Sequence, residues 1–162
     1  YNVETTMAHK PILIFGYGNP SRGDDALGPA LVSRIEQRIQ DGHRLSDKIE
    51  LLTDFQLQVE HAMDLSGREF VIFVDAAVDL PDAYTYNSLQ ADRDISYTTH
   101  AMSPAAVMYV HKSITGTKPP PCHLLSIRGR DFYLGKSMSS EARDNLDMAC
   151  NFLLEQLAEQ PG

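Results

Sequence analysis

Three acids and one imidazole stand in this chain where chemistry could be done. Asp24 and Asp25 lie in Gly16-Tyr17-Gly18-Asn19-Pro20-Ser21-Arg22-Gly23-Asp24-Asp25-Ala26-Leu27-Gly28, Asp75 closes Phe70-Val71-Ile72-Phe73-Val74-Asp75, and His100 sits in Tyr97-Thr98-Thr99-His100-Ala101-Met102-Ser103-Pro104. The first segment follows an apolar run, Ile12-Leu13-Ile14-Phe15, that reads as a buried strand. It precedes Leu27, Leu31, Ile35 and Ile39, spaced like one face of a helix. Two adjacent carboxylates therefore occupy a strand-to-helix junction, the edge where open α/β sheets bind ligands. Helix N-termini attract anions, so capping accounts for one carboxylate and leaves the second as surplus. An acid ending a buried strand is costly unless paired; a helix cap or a loop ion pair is the plain alternative for Asp75. Ser103 with Pro104 forms a cap and first-turn pair, which puts His100 in a helix-entry loop at the same sheet edge. His9, His43, His61, His111 and His123 read as ordinary surface histidines.

Carboxylates with one imidazole form a mixed oxygen and nitrogen donor set that suits a borderline divalent metal with positions left open. Nothing resembles a closed structural metal site, because there is no Cys cluster and no His-Glu-x-x-His. Gly16-x-Gly18 invites a dinucleotide reading, but the third glycine is misplaced and Asn19-Pro20 interrupts the pattern. A serine hydrolase would lack its Gly-x-Ser-x-Gly elbow. Arg22-Gly23-Asp24 matches an adhesion tripeptide by chance.

The elements that must position these groups alternate along the chain. Apolar runs predict strands at 11–16, 48–53, 69–75 and 122–128, with a further one at 83–89. Helical spacing predicts helices at 26–40, 56–65, 103–115 and 139–158, the last capped by Ser139 or Ser140 and burying Ala142, Leu146, Ala149, Leu153 and Leu157. Such alternation predicts an α/β fold: a three-layer αβα sandwich on a mostly parallel twisted sheet of about five strands, with helices on both faces. Residues 79–102 and 116–121 break the pattern, and a connection as long as the first is often functional.

The length of 162 residues fits one domain, with residues 1–10 expected as a disordered leader and 11–160 as the α/β unit. No apolar run approaches the roughly 20 residues of a membrane span, and no secretory signal is visible. The two cysteines, Cys122 and Cys150, make no disulfide framework, so a reducing cytoplasm is the expectation. A net charge of −8 argues against nucleic-acid binding. No spare apolar face is evident, which makes a monomer the default.

Taken together, these motifs resemble those of the hydrogenase maturation proteases. The family's opening Gly-x-Gly-Asn with a following acidic pair and glycine is matched by Gly16-Tyr17-Gly18-Asn19 and Asp24-Asp25-Ala26-Leu27-Gly28. Its strand ending in Asp-Ala is matched by Val71-Ile72-Phe73-Val74-Asp75-Ala76, and its histidine before a helix by Thr99-His100-Ala101-Met102-Ser103-Pro104. Phe132-Tyr133-Leu134-Gly135 with Met138-Ser139 resembles the segment before the family's last helix. Where many members have a Gly-Thr pair, this chain has Asp54-Phe55-Gln56-Leu57-Gln58-Val59-Glu60, which resembles the branch serving soluble or bidirectional hydrogenases.

The resemblance implies an endopeptidase that removes a C-terminal extension from the nickel–iron hydrogenase large-subunit precursor after nickel insertion. It implies Asp25, Asp75 and His100 as the catalytic and nickel-contacting residues, with Asp24 and Asn19 as auxiliary candidates. The nickel would be carried by the substrate, and no tightly held metal of the enzyme's own is expected. A metal near the scissile carbonyl could polarise it or activate water, and Asp24 or Asp25 could act as base. A dyad of carboxylates sharing a proton leaves His100 without a role. The alternative function is a nickel checkpoint or metallochaperone that binds the same precursor without cutting it.

Overall fold

The computed structural model describes residues 9–40, 44–93 and 102–159. Five strands form one sheet: β1 (Ile12–Tyr17), β2 (Ile49–Asp54), β3 (Phe70–Ala77), β4 (Tyr84–Leu89) and β5 (Cys122–Arg128). Their order across the sheet is β2-β1-β3-β5-β4. All neighbouring pairs are parallel except β4, which runs antiparallel to β5. The helices are α1 (Leu27–Arg38), α2 (Pro104–Thr115) and α3 (Ser140–Ala158).

Alternation along the strands builds a core on each face of the sheet. Ile12, Ile14, Ile72, Val74, Leu125 and Ile127 face α1 and α3, meeting Leu31, Ile35, Leu146 and Leu153. Leu13, Phe15, Val71 and Phe73 point to the other face and meet Val107 and Met108 of α2 with Leu57, Ala62 and Leu65. The expected three-layer mostly parallel α/β sandwich is therefore the observed one.

Ser139 caps α3 by accepting from Ala142 N–H, and Ser103 caps α2 by accepting from Ala106 N–H with Pro104 behind it. Two predicted elements change form. The helix expected from 26 starts as a 3-10 turn, Gly23–Ala26, before α1 takes over. The helix expected at 56–65 is a 3-10 helix, Val59–Leu65. There the His61 ring takes the Gln58 N–H, and such local side-chain bonds compete with an α-helical ladder. Among the described residues no helix is long and apolar enough to cross a membrane.

Candidate active site

Two glycines set how close α1 comes to the sheet. A Cβ on Gly16 would lie 2.2 Å from the Gly28 carbonyl oxygen, and one on Gly28 would lie 2.5 Å from Tyr17 O and 2.7 Å from Val74 O. Only bare backbone lets the first turn of α1 rest on β1 and β3 at their C-terminal ends. That contact brings the loop before α1, with Asp25 in it, to the crevice between these two strands. Gly18 has φ +145° and a Cβ there would be 2.1 Å from Asp25 O, so this turn also requires glycine.

Asp25 is half-buried, and its Oδ2 accepts the Asn19 N–H at 2.7 Å. Its other oxygen makes no hydrogen bond among the described residues. Asn19 acts within the turn: its Oδ1 accepts the Ser21 N–H at 2.9 Å, which commits that side chain to holding the loop.

Asp75 follows Val74, which pairs with Gly16 across β1 and β3, so its neighbour across the crevice is Tyr17. Leu13 and Phe15 on β1 and Val71 and Phe73 on β3 share one face, and the alternation carries Tyr17 and Asp75 onto that face. The Tyr17 hydroxyl and the Asp75 carboxylate lie close enough to act on each other's ionisation. Burial pushes the Asp75 pKa up to about 6; hydrogen bonds from Ala76 N–H and Tyr17 oppose the rise, and the Asp25 charge adds to it. Tyr17 itself is raised well above its ordinary value, by burial first and then by the Asp75 and Asp25 charges, so it remains a proton donor. The Asp25 charge thus reaches both Asp75 and Tyr17 at this strand-end crevice. Tyr17 was missed from sequence; the signal was a hydroxyl-bearing residue at the variable place of Gly16-x-Gly18.

Asp24 corrects an expectation. It neither caps α1 nor is free to act as a base, being fully buried with 0% exposure. Oδ2 accepts the N–H groups of Arg130 (2.7 Å) and Asp131 (3.0 Å) and the Ser139 hydroxyl (2.7 Å), while Oδ1 accepts Ser139 N–H (2.7 Å). Burial alone would raise its pKa; the N–H groups of Asp131, Ser139 and Arg130 and the Ser139 hydroxyl outweigh it and hold the carboxyl below its usual value. Asp24 is a tie between the strand β1 loop, the loop after β5 and the start of α3. Asp25 makes no capping bond to α1 either.

Several histidines also depart from a surface role. His61 donates from Nε2 to Asp54 Oδ2 (3.1 Å), accepts Gln58 N–H at Nδ1 (2.8 Å) and sets its ring edgewise on Phe15. Both ring nitrogens are thereby used, and Asp54 is the register partner of Tyr17. His111 is buried beside Ser66 Oγ, and His123 stacks on Tyr86. His9 is exposed as expected. His100 and His43 lie outside the described residues. Among the described residues no three His, Cys, Asp or Glu side chains are grouped to hold a metal ion. Asp25 and Asp75 are two oxygen donors at one crevice, which leaves room for further donors from another molecule.

Several solved structures of similar shape are described as hydrogenase maturation peptidases. The [NiFe] hydrogenase maturation protease HycI of Thermococcus kodakarensis superimposes with a TM-score of 0.68 at 18% identity, covering 95% of this chain and 96% of that one. The Escherichia coli hydrogenase maturating endopeptidase HybD gives 0.69 at 23% identity over 91% and 92%. This chain has the maturation-protease fold. A hydrogenase 2 maturation peptidase from a Thaumarchaeota archaeon gives 0.65 at 25% identity, covering 93% of this chain and 100% of that one. No family model and no curated protein matches by sequence. The maturation-protease fold thus covers nearly all of this chain at low identity, and its strand-end crevice is where Tyr17, Asp25 and Asp75 meet.

Proposed function

We propose that this chain is an endopeptidase that trims the C-terminal extension of a nickel–iron hydrogenase large-subunit precursor once nickel is in place. The observation that carries the reading is the Asp25–Asp75 crevice: two carboxylates brought to one strand-end cleft, on a fold shared with maturation peptidases. Asp25 and Asp75 would meet the substrate's nickel together with His100. An open oxygen and nitrogen donor set binds such a metal without retaining it. With a pKa of about 6, Asp75 is ionised in neutral solution, as a carboxylate that is to meet a metal ion must be. The free, buried state of Cys122 and Cys150 suits action in a reducing cytoplasm.

The test is the mass of a nickel-loaded precursor after incubation with the protein. Loss of a C-terminal peptide that requires nickel, and that disappears with Asp25→Asn or His100→Ala, is the expected result. An unshortened precursor held in a nickel-dependent complex would make the chain a checkpoint instead.

A further inference from the structure

His61 closes the turn of residues 54–61 at the tip of β2. Its Nδ1 accepts the Gln58 N–H (2.8 Å) and its Nε2 donates to Asp54 Oδ2 (3.1 Å), so one tautomer serves both bonds. Asp54 Oδ1 takes the Phe55 N–H (2.7 Å). The imidazole lies edgewise on Phe15, with ring centroids 4.7 Å apart, and Phe15 stacks in turn on Phe73, two residues before Asp75. A histidine whose two nitrogens and one ring edge are all committed is a rigid clasp.

Two main-chain carbonyls of the clasped turn accept N–H groups from other parts of the chain. Asp54 O accepts Gly18 N–H at 3.0 Å, and Leu57 O accepts Met102 N–H at 3.3 Å. Gly18 enters the turn in which Asn19 N–H donates to Asp25 Oδ2 at 2.7 Å. Met102 leads into α2 beside its cap, Ser103. Two residues of chain reach about 7 Å, so the Leu57 bond also limits how far His100 can stand from this turn. β2 is an edge strand, and its ladder with β1 ends at the pair Tyr17 and Asp54. Strand ends paired on one side only open readily. Leu57 is fully buried and seats the turn on the α2-side core, but burial of a side chain leaves the direction of its carbonyl free. The imidazole supplies that direction.

We infer that His61 is a positioning residue of the site. It fixes the Asp54 and Leu57 carbonyls, which in turn locate the Asp25 turn and the entry to α2. It acts through the main chain and not on the reacting atoms. Its consequence for catalysis rests on the endopeptidase reading above, where a misplacement of about 1 Å is enough to cost about 10²-fold in rate.

The test compares His61→Phe, which keeps a ring on Phe15 and removes both polar atoms, with His61→Gln, whose amide accepts and donates as the imidazole does. Leu153→Ala, in the core beneath α1, controls for lost stability alone. Amide hydrogen exchange by NMR reads the positioning directly. Processing of nickel-loaded precursor, at a temperature where every form is folded, reads its consequence. His61→Phe is expected to speed exchange at the Gly18 and Met102 amides tenfold or more while the α3 amides of Leu146 and Leu153 stay protected. It should lower kcat tenfold or more with KM within twofold. His61→Gln should stay within threefold of wild type in both measurements, and Leu153→Ala should keep the kcat of wild type. Unchanged exchange at both amides in His61→Phe, an unchanged kcat, losses in His61→Gln equal to those in His61→Phe, or an equal fall of kcat in Leu153→Ala would each overturn the positioning role. If the wild-type chain leaves the precursor at full length, only the endopeptidase reading falls, and the exchange comparison still decides the clasp.

Discussion

Asp75 and Asp24 are titrated in opposite directions by one sheet edge. Asp75 holds its proton more tightly folded than unfolded, with a pKa of about 6 against 3.8. Its contribution to stability is present below the unfolded value and is lost as pH rises through about 6. Asp75→Asn should therefore stabilise the fold by about 2 kcal/mol at pH 7.5, by the free-energy equivalent of the shift reduced for partial exposure. That gain should vanish near pH 4, as urea unfolding at the two pH values would show. The same substitution should abolish processing, and wild-type processing should fall as pH drops through about 6. A stabilising loss-of-function change is the mark of a group kept for chemistry. Asp24 is the reverse case: its carboxyl is depressed, so its contribution is present above its unfolded pKa and lost as pH falls through the lower folded one. Asp24→Asn places an amide against four donors and should cost about 3 kcal/mol or more, whereas Asp25→Asn keeps an oxygen to accept its one backbone N–H and should cost about 1 kcal/mol or less. Thermal melts of the two variants decide this, and equal losses would mean that Asp25 is structural too.

Elements place these residues by close approach and by caps. Gly28→Ala would drive a Cβ into Tyr17 O and Val74 O. The expected result is a loss of about 2–3 kcal/mol, with processing lost as Asp25 is levered away from Asp75. Normal processing by this variant would mean that α1 can lift without moving the site. On α3 Leu153 is fully buried in the core beneath α1, so Leu153→Ala should cost about 2–5 kcal/mol in urea unfolding and leave processing of the folded fraction intact. Strand and helix positions were legible in the sequence because apolar period and Ser-Pro or Ser caps are local signals, and β5 and the α3 cap fell where those signals stand. The 3-10 form of Val59–Leu65 was not, because it depends on His61 being drawn to the tip of β2 and onto Phe15.

At the scale of the molecule, one sheet is shared by two cores, and each core holds a free cysteine: Cys150 beside α1 and α3, Cys122 beside α2. Burial pushes the Cys122 thiol up to about 12 and raises Cys150 as well, so neither presents thiolate in the native state. Both should resist iodoacetamide at pH 8 and become labelled at one urea midpoint, as expected if residues 11–160 unfold as one unit; separate midpoints would divide the cores. The sequence by itself determined the α/β class, the placement of most elements and the identity of Asp25 and Asp75 as acids at strand ends, since each follows from residue type and short-range periodicity. Tertiary structure alone decided which of two adjacent aspartates is buried, because the groups that claim Asp24 lie 106 to 115 residues away. It alone set Tyr17 beside Asp75, because such proximity arises from strand order and from the close seat of α1 on bare glycine, which no local pattern encodes.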